Sequence, residues 1–141
     1  MMSCDATPRS EHTILIVEDE IFVAMDIERI LGEAGYRVIA IAADQQEAIT
    51  HGEDARIAFV DINLRDGPTG PAIACALAGK GTRVIYVTAN PQQIEPRAET
   101  AIGYIRKPFS DTAILSAAEI AAAGTPLATP AEGVILFASG S

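Results

Sequence analysis

Five residues whose side chains can handle a phosphoryl group stand at or just beyond the ends of short apolar runs. Glu18 and Asp19 follow Thr13 to Val17, Asp61 follows Arg56 to Val60, Thr88 follows Arg83 to Val87, and Lys107 comes just after Ile102 to Ile105. Carboxylates gathered at one rim repel each other. A hard cation such as Mg²⁺ relieves that repulsion while keeping several waters and room for a phosphate oxygen. Phosphoryl transfer asks for an in-line nucleophile, neutralised equatorial oxygens and positioned donors. Asp61 can be the nucleophile and become an aspartyl phosphate. Magnesium then takes one phosphoryl oxygen, the Lys107 ammonium a second, and the Thr88 hydroxyl with the Ala89 backbone N–H the third. A lysine at the mouth of an acidic pocket also reads as a plain salt-bridge partner.

These residues can meet only if the runs before them are neighbouring strands. Thr13 to Val17 is continuous, apolar and rich in β-branched residues, as suits a strand buried on both faces. Val23, Ile27, Ile30, Leu31 and Ala34 then recur along one helical stripe, with Gly35 placed for a C-terminal cap. Tyr36 to Ile41 reads as a second strand, and Asp44 with Glu47 three residues on opens a short helix ending near His51 and Gly52. Arg56 to Val60 is a third strand. After the turn-rich Arg65 to Gly70, Pro71 can start an alanine-rich helix that ends around Gly79 to Gly81. Arg83 to Val87 is strand four. Pro91 and Pro96 limit Ala89 to Thr100 to a short or broken helix before strand five at Ile102 to Ile105. Ser110 and Asp111 cap a last helix containing Ile114, Leu115, Ala118 and Ile120.

Apolar strands alternating with helices predict an α/β fold: a doubly wound, five-stranded parallel sheet of order 2-1-3-4-5, flavodoxin-like, with its site beyond the carboxyl ends of the strands. The chain divides into a polar leader over 1–12, a domain over 13–123 and a partly apolar tail over 124–141. Val134 to Phe137 is too apolar for a plain linker; it packs on the domain itself or on a partner, and self-packing is the preferred reading.

With 141 residues and 49% apolar content the chain fits one domain with a real core. Ten basic against nineteen acidic residues leave a net charge of -9, which argues against nucleic-acid binding. Neither a secretory signal nor a run long enough to span a membrane is read, so a cytoplasmic location with no membrane partner is expected. Cys4 and Cys75, with only His12 and His51, suggest reduced thiols and neither a disulfide framework nor a zinc site.

Four motifs occur in order: Ile14-Leu15-Ile16-Val17-Glu18-Asp19-Glu20, Phe59-Val60-Asp61-Ile62-Asn63-Leu64, Val87-Thr88-Ala89 and Lys107-Pro108-Phe109. Over about residues 13 to 122 the chain resembles the receiver domain of two-component response regulators. The resemblance implies that Asp61 is the phosphoacceptor. It also implies that Asp19, Asp61 and the backbone carbonyl of Asn63 bind Mg²⁺ directly, that Glu18 does so through water, and that the Lys107–Pro108 bond is cis. In such domains the Thr hydroxyl moves toward the phosphoryl group and an aromatic three residues before the Lys, here Tyr104, turns inward behind it. Phosphorylation drives this motion only by binding the active state better. The implied readout surface is the fourth helix, fifth strand and fifth helix. Tyr104 also reads as an edge aromatic packed for burial alone.

Two departures stand out. Nineteen positions separate Thr88 from Lys107 and hold two prolines, so the fourth helix of typical receivers is expected to be short or a loop. This resembles alphaproteobacterial receivers that work with an atypical class of histidine kinases. Glu18 in place of an aspartate is a mild change. Arg65 and Asp66 read as a solvated loop or as a contact for the kinase.

The expected function is that of a single-domain response regulator, since nothing after residue 123 is long enough for an effector domain. It would accept a phosphoryl group from a histidine kinase or phosphotransfer protein and bind a downstream protein target, as a monomer or weak homodimer. It would not be an enzyme beyond its own phosphorylation and dephosphorylation. The alternative is a magnesium-dependent phosphohydrolase with an aspartyl-phosphate intermediate. Such enzymes want an acid two residues after the nucleophile, where this chain has Asn63. A degenerate receiver that only binds protein is a third reading, against which the intact set of Glu18, Asp19, Asp61, Thr88 and Lys107 argues.

Overall fold

A computed structural model describes residues 8–123 and 130–137. Cys4, most of the expected leader, and the two ends of the expected tail lie outside the described residues. The elements are β1 (Thr13–Val17), α1 (Ile21–Glu33), β2 (Arg37–Ala42), α2 (Gln45–His51), β3 (Ile57–Val60), α3 (Gly70–Ala78), β4 (Arg83–Thr88), β5 (Ala101–Arg106), α4 (Asp111–Ala123) and β6 (Val134–Leu136).

The strands form one sheet of order β2-β1-β3-β4-β5-β6. Five pair in parallel in the expected order. The sixth corrects the expected count: β6, from the apolar stretch near the chain's end, pairs antiparallel with β5. The expected continuous apolar runs arise because both faces of the sheet are covered. Along β1, Ile14 and Ile16 enter the core shared with α1 and α4, while Leu15 and Val17 enter the one shared with α2 and α3. Each such buried aliphatic contributes about 1.5–3 kcal/mol relative to exposure.

Local signals fix the helix ends. Gly35, at φ +98°, ends the turn after α1 in a backbone conformation that L side chains rarely adopt. At α2 the Asp44 carboxylate accepts from the Glu47 N–H at 2.9 Å, and Glu47 in return accepts from the Ala43 N–H at 2.8 Å. The Ser110 hydroxyl accepts from the Ala113 N–H at 3.1 Å, capping α4.

Between β4 and β5 there is no α-helix. The segment holds a single 3₁₀ turn, Pro91–Gln93, as expected from its prolines. Its hydrophobic anchors are Ile94 and Ala98, and the Ala98 N–H donates to the buried Tyr86 hydroxyl at 3.0 Å. The described end of the leader is docked. Arg9 donates to the Ala34 carbonyl, pairs with Glu119 at 2.9 Å and lies 5.2 Å over the Tyr36 ring.

Candidate functional site

The carboxyl ends of β1, β3, β4 and β5 form one rim, as parallel order requires. The residue immediately after β1 is Glu18, whose N–H donates to the Ala42 carbonyl of β2, keeping it in line with the sheet. Asp61 follows β3, and its N–H donates to the Val17 carbonyl. Their carboxylates therefore stand side by side with that of Asp19. Oxygens of Glu18, Asp19 and Asp61 all lie within 4.8 Å of one another. Glu18 and Asp61 are buried and Asp19 is exposed, so the cluster opens to solvent on one side.

Lys107, the first residue past β5, reaches across the rim. Its ammonium donates to Glu18 Oε1 at 2.7 Å and to Asp61 Oδ2 at 3.0 Å, with Glu20 Oε1 at 3.5 Å. The Lys107–Pro108 bond is cis, as the resemblance implied. One ammonium does not balance the carboxylates. Burial, together with the nearby charge of Asp61, pushes Glu18 up to about 7, and Lys107 only partly opposes this. For Lys107 burial disfavours the charge, but its hydrogen bond to Glu18 and the attraction of Glu18 and Asp61 outweigh burial and raise its pKa above the ordinary value. A cluster of hard oxygens with residual negative charge fits a small divalent cation, with Glu18, Asp19 and Asp61 as its candidate holders.

The Thr88 hydroxyl is buried at the end of β4 and accepts from the Asn90 N–H at 2.9 Å, so its own proton is free to point elsewhere. Ala89, next along, is exposed at the rim and borders the same groove as Lys107. The side chain of Asn63 turns to the β4–β5 segment, donating to Gln93 Oε1 at 3.0 Å. Tyr104 lies apart from the acidic cluster. It is half-buried on β5 in register with Tyr86, its ring 6.0 Å from that of Phe137. Arg65 and Asp66 belong to a tied loop. Arg65 pairs with Asp44 at 2.6 Å, and Asp66 accepts from the Gln45 N–H and the Thr69 hydroxyl.

Two positions went unassigned in the sequence reading. Glu20 joins the Lys107 network and its N–H donates to Glu18 Oε2 at 3.1 Å. A Cβ at Gly70 would collide with the Asp61 carbonyl and the Ile62 Cα, so only glycine lets α3 start against the Asp61 backbone. A Gly-Pro pair opening a helix was the available signal.

Residues 14–119 match the family described as response regulator receiver domain. Among characterised proteins, the chain is 32% identical over 139 residues to transcriptional regulatory protein PdtaR of Mycobacterium tuberculosis, covering 93% of this chain and 66% of that one. It is 35% identical over 102 residues to the phyllosphere-induced regulator PhyR of Methylorubrum extorquens, covering 68% of this chain and 38% of that one. The solved response regulator PhyR from Brucella abortus superposes with a TM-score of 0.64 at 32% identity, over 79% of this chain and 46% of that one. The chain thus spans less than two thirds of each of these proteins.

Proposed function

The chain belongs to the response regulator receiver domain family, and on that premise we propose that it is a phosphorylation switch with Asp61 as the phosphoacceptor. The observation that carries the reading is the meeting of Lys107 with Glu18 and Asp61, residues 89 and 46 positions away, at hydrogen-bond distance on one rim. Such an arrangement costs two desolvated carboxylates and is hard to explain as a stabilising device alone.

Asp19, Asp61 and the Asn63 carbonyl would hold Mg²⁺, with Glu18 acting through water; bound there, it supplies neutralisation of phosphoryl charge. The chain's own residues do the rest. A carboxylate oxygen of Asp61 attacks phosphorus of a phosphohistidine; the O–P bond forms as the N–P bond breaks, and the imidazole leaves with the bonding pair. The Lys107 ammonium passes from the Asp61 carboxylate to a phosphoryl oxygen. Another oxygen accepts from the Thr88 hydroxyl and the Ala89 N–H, and Tyr104 turns inward behind Thr88.

The donor is a histidine kinase or phosphotransfer protein in the cytoplasm, and a docking face for it adjoins the site. Ile21, Phe22 and Met25 of α1 are 55%, 83% and 50% exposed, and Phe22 and Met25 border a groove shared with Lys107, Pro108 and Phe109. An apolar patch this open beside a reactive site is a binding surface. The missing helix between β4 and β5 supports the subtype that pairs with an atypical kinase class. No turnover of outside phosphate esters accompanies this role, because the Asn63 amide neither gives up nor takes a proton as a general acid-base.

The test is intact-mass labelling with phosphoramidate. The native chain with Mg²⁺ gains one phosphoryl group, and EDTA or Asp61→Asn abolishes the gain. Labelling that persists in Asp61→Asn refutes the assignment.

A further inference from the structure

We infer that the outer edge of β5 is a strand-accepting surface, filled in the resting chain by its own residues 134–137 and opened to an extended apolar segment of a protein partner when Asp61 is phosphorylated. The inference rests on the reading of Asp61 as acceptor and names how that state is read out.

The segment is held by few anchors. Its pairing places Val134 opposite Ile105, Ile135 opposite Tyr104 and Leu136 opposite Gly103, and the Phe137 N–H donates to the Ile102 carbonyl at 3.0 Å. β5 is shaped for a strand this near, because a Cβ at Gly103 would collide with the Ile135 carbonyl. Val134 is buried in the core shared with α4, while Ile135 is 49% exposed. Phe137 packs against the opposite core. Its ring lies 6.2 Å from that of Tyr86, 6.0 Å from that of Tyr104 and 4.3 Å from the Arg97 guanidinium.

One of those three walls is the residue that moves in the switch, and a second belongs to the segment that replaces a helix between β4 and β5. Turning Tyr104 toward Thr88 removes a ring from the Phe137 contact and leaves the strand to Val134 and Leu136 on the α4 side and to the turn before it, where the Ala131 N–H donates to Ser116 Oγ at 3.0 Å. A partner strand has the same two places to fill: a β-branched apolar residue over Ile105 and, three positions on, an aromatic among Tyr86, Tyr104 and Arg97. Backbone pairing supplies the affinity and these two places the specificity.

The test follows hydrogen exchange of the full chain with and without beryllium fluoride and Mg²⁺, with phosphoramidate labelling of Asp61 read in parallel by mass. A dye-labelled peptide copying residues 130–137 serves as the strand probe. Activation should speed exchange over 134–137 by about tenfold and tighten peptide binding by about tenfold. Phe137→Ala should do both without activation. Labelling of Asp61 with unchanged protection at 134–137 and no peptide binding overturns the inference and leaves the acceptor standing. Absence of labelling overturns the acceptor, and the coupling with it. A dimer on activation, seen by light scattering, would put a second copy on the edge and overturn the foreign partner.

Discussion

Lys107 is the single ammonium that faces Glu18 and Asp61 among the described residues, so its removal strands buried charge. Lys107→Ala should cost about 3 kcal/mol in EDTA, read by urea denaturation, and Mg²⁺ should restore more stability to the variant than it adds to the native chain. Equal stability of the two proteins in EDTA would contradict the geometry. Glu18 makes a pH prediction. Its carboxyl holds a proton to about pH 7 in the folded chain and releases it near 4.5 when unfolded, so between those values the folded state binds more protons. The associated stability is complete below about 4.5 and is lost as pH rises to about 7. In EDTA, the melting temperature of the native chain minus that of Glu18→Gln should therefore fall across this window; a rise would contradict it. Asp61 and Thr88 were legible because each ends an apolar run, and Lys107 because it stands just past one. Glu20 was not, since one more acid in an acidic stretch carries no positional mark.

At the scale of elements, two glycines should respond oppositely to the same change. Gly70 meets the Asp61 backbone at the start of α3, so Gly70→Ala should cost about 2–3 kcal/mol by overpacking, with reduced labelling of Asp61. Gly32 lies within α1 with nothing near its missing Cβ, so Gly32→Ala should stabilise by about 0.5–1 kcal/mol. Urea denaturation measures both, and a neutral Gly70→Ala would show that α3 does not press on the Asp61 backbone. The five parallel strands, and the restriction of the β4–β5 segment to a short helix or a loop, could be read in advance. Burial on both faces writes a continuous apolar run, and a proline past the first turn removes a helix hydrogen bond, so two of them five residues apart leave no room for a regular helix. β6 could not. Three apolar residues near the end of a chain look alike whether they pair with an edge, cover a helix or meet a partner, and the choice depends on Gly103, which is distant in sequence.

For the whole molecule, the sheet order turns four separate chain positions into one site, and that was the part of the fold most fully legible, because right-handed crossovers leave few alternatives. The surface around the site was less so. Phe22 reads as one more apolar residue of a helix and is 83% exposed beside the reactive rim. Phe22→Ala should slow transfer from a phosphohistidine protein by about tenfold and transfer from phosphoramidate far less, read as labelling rates; equal slowing would remove α1 from donor docking. A switch at this rim turns on one bond, between phosphorus and a carboxylate oxygen of Asp61. Borohydride reduction of the chain after treatment with phosphoramidate and Mg²⁺, followed by peptide mass mapping, reads that bond directly. Reduction of residue 61 alone, and only when phosphodonor and Mg²⁺ are both present, is the predicted result; reduction at another carboxylate, or labelling indifferent to EDTA, would contradict it.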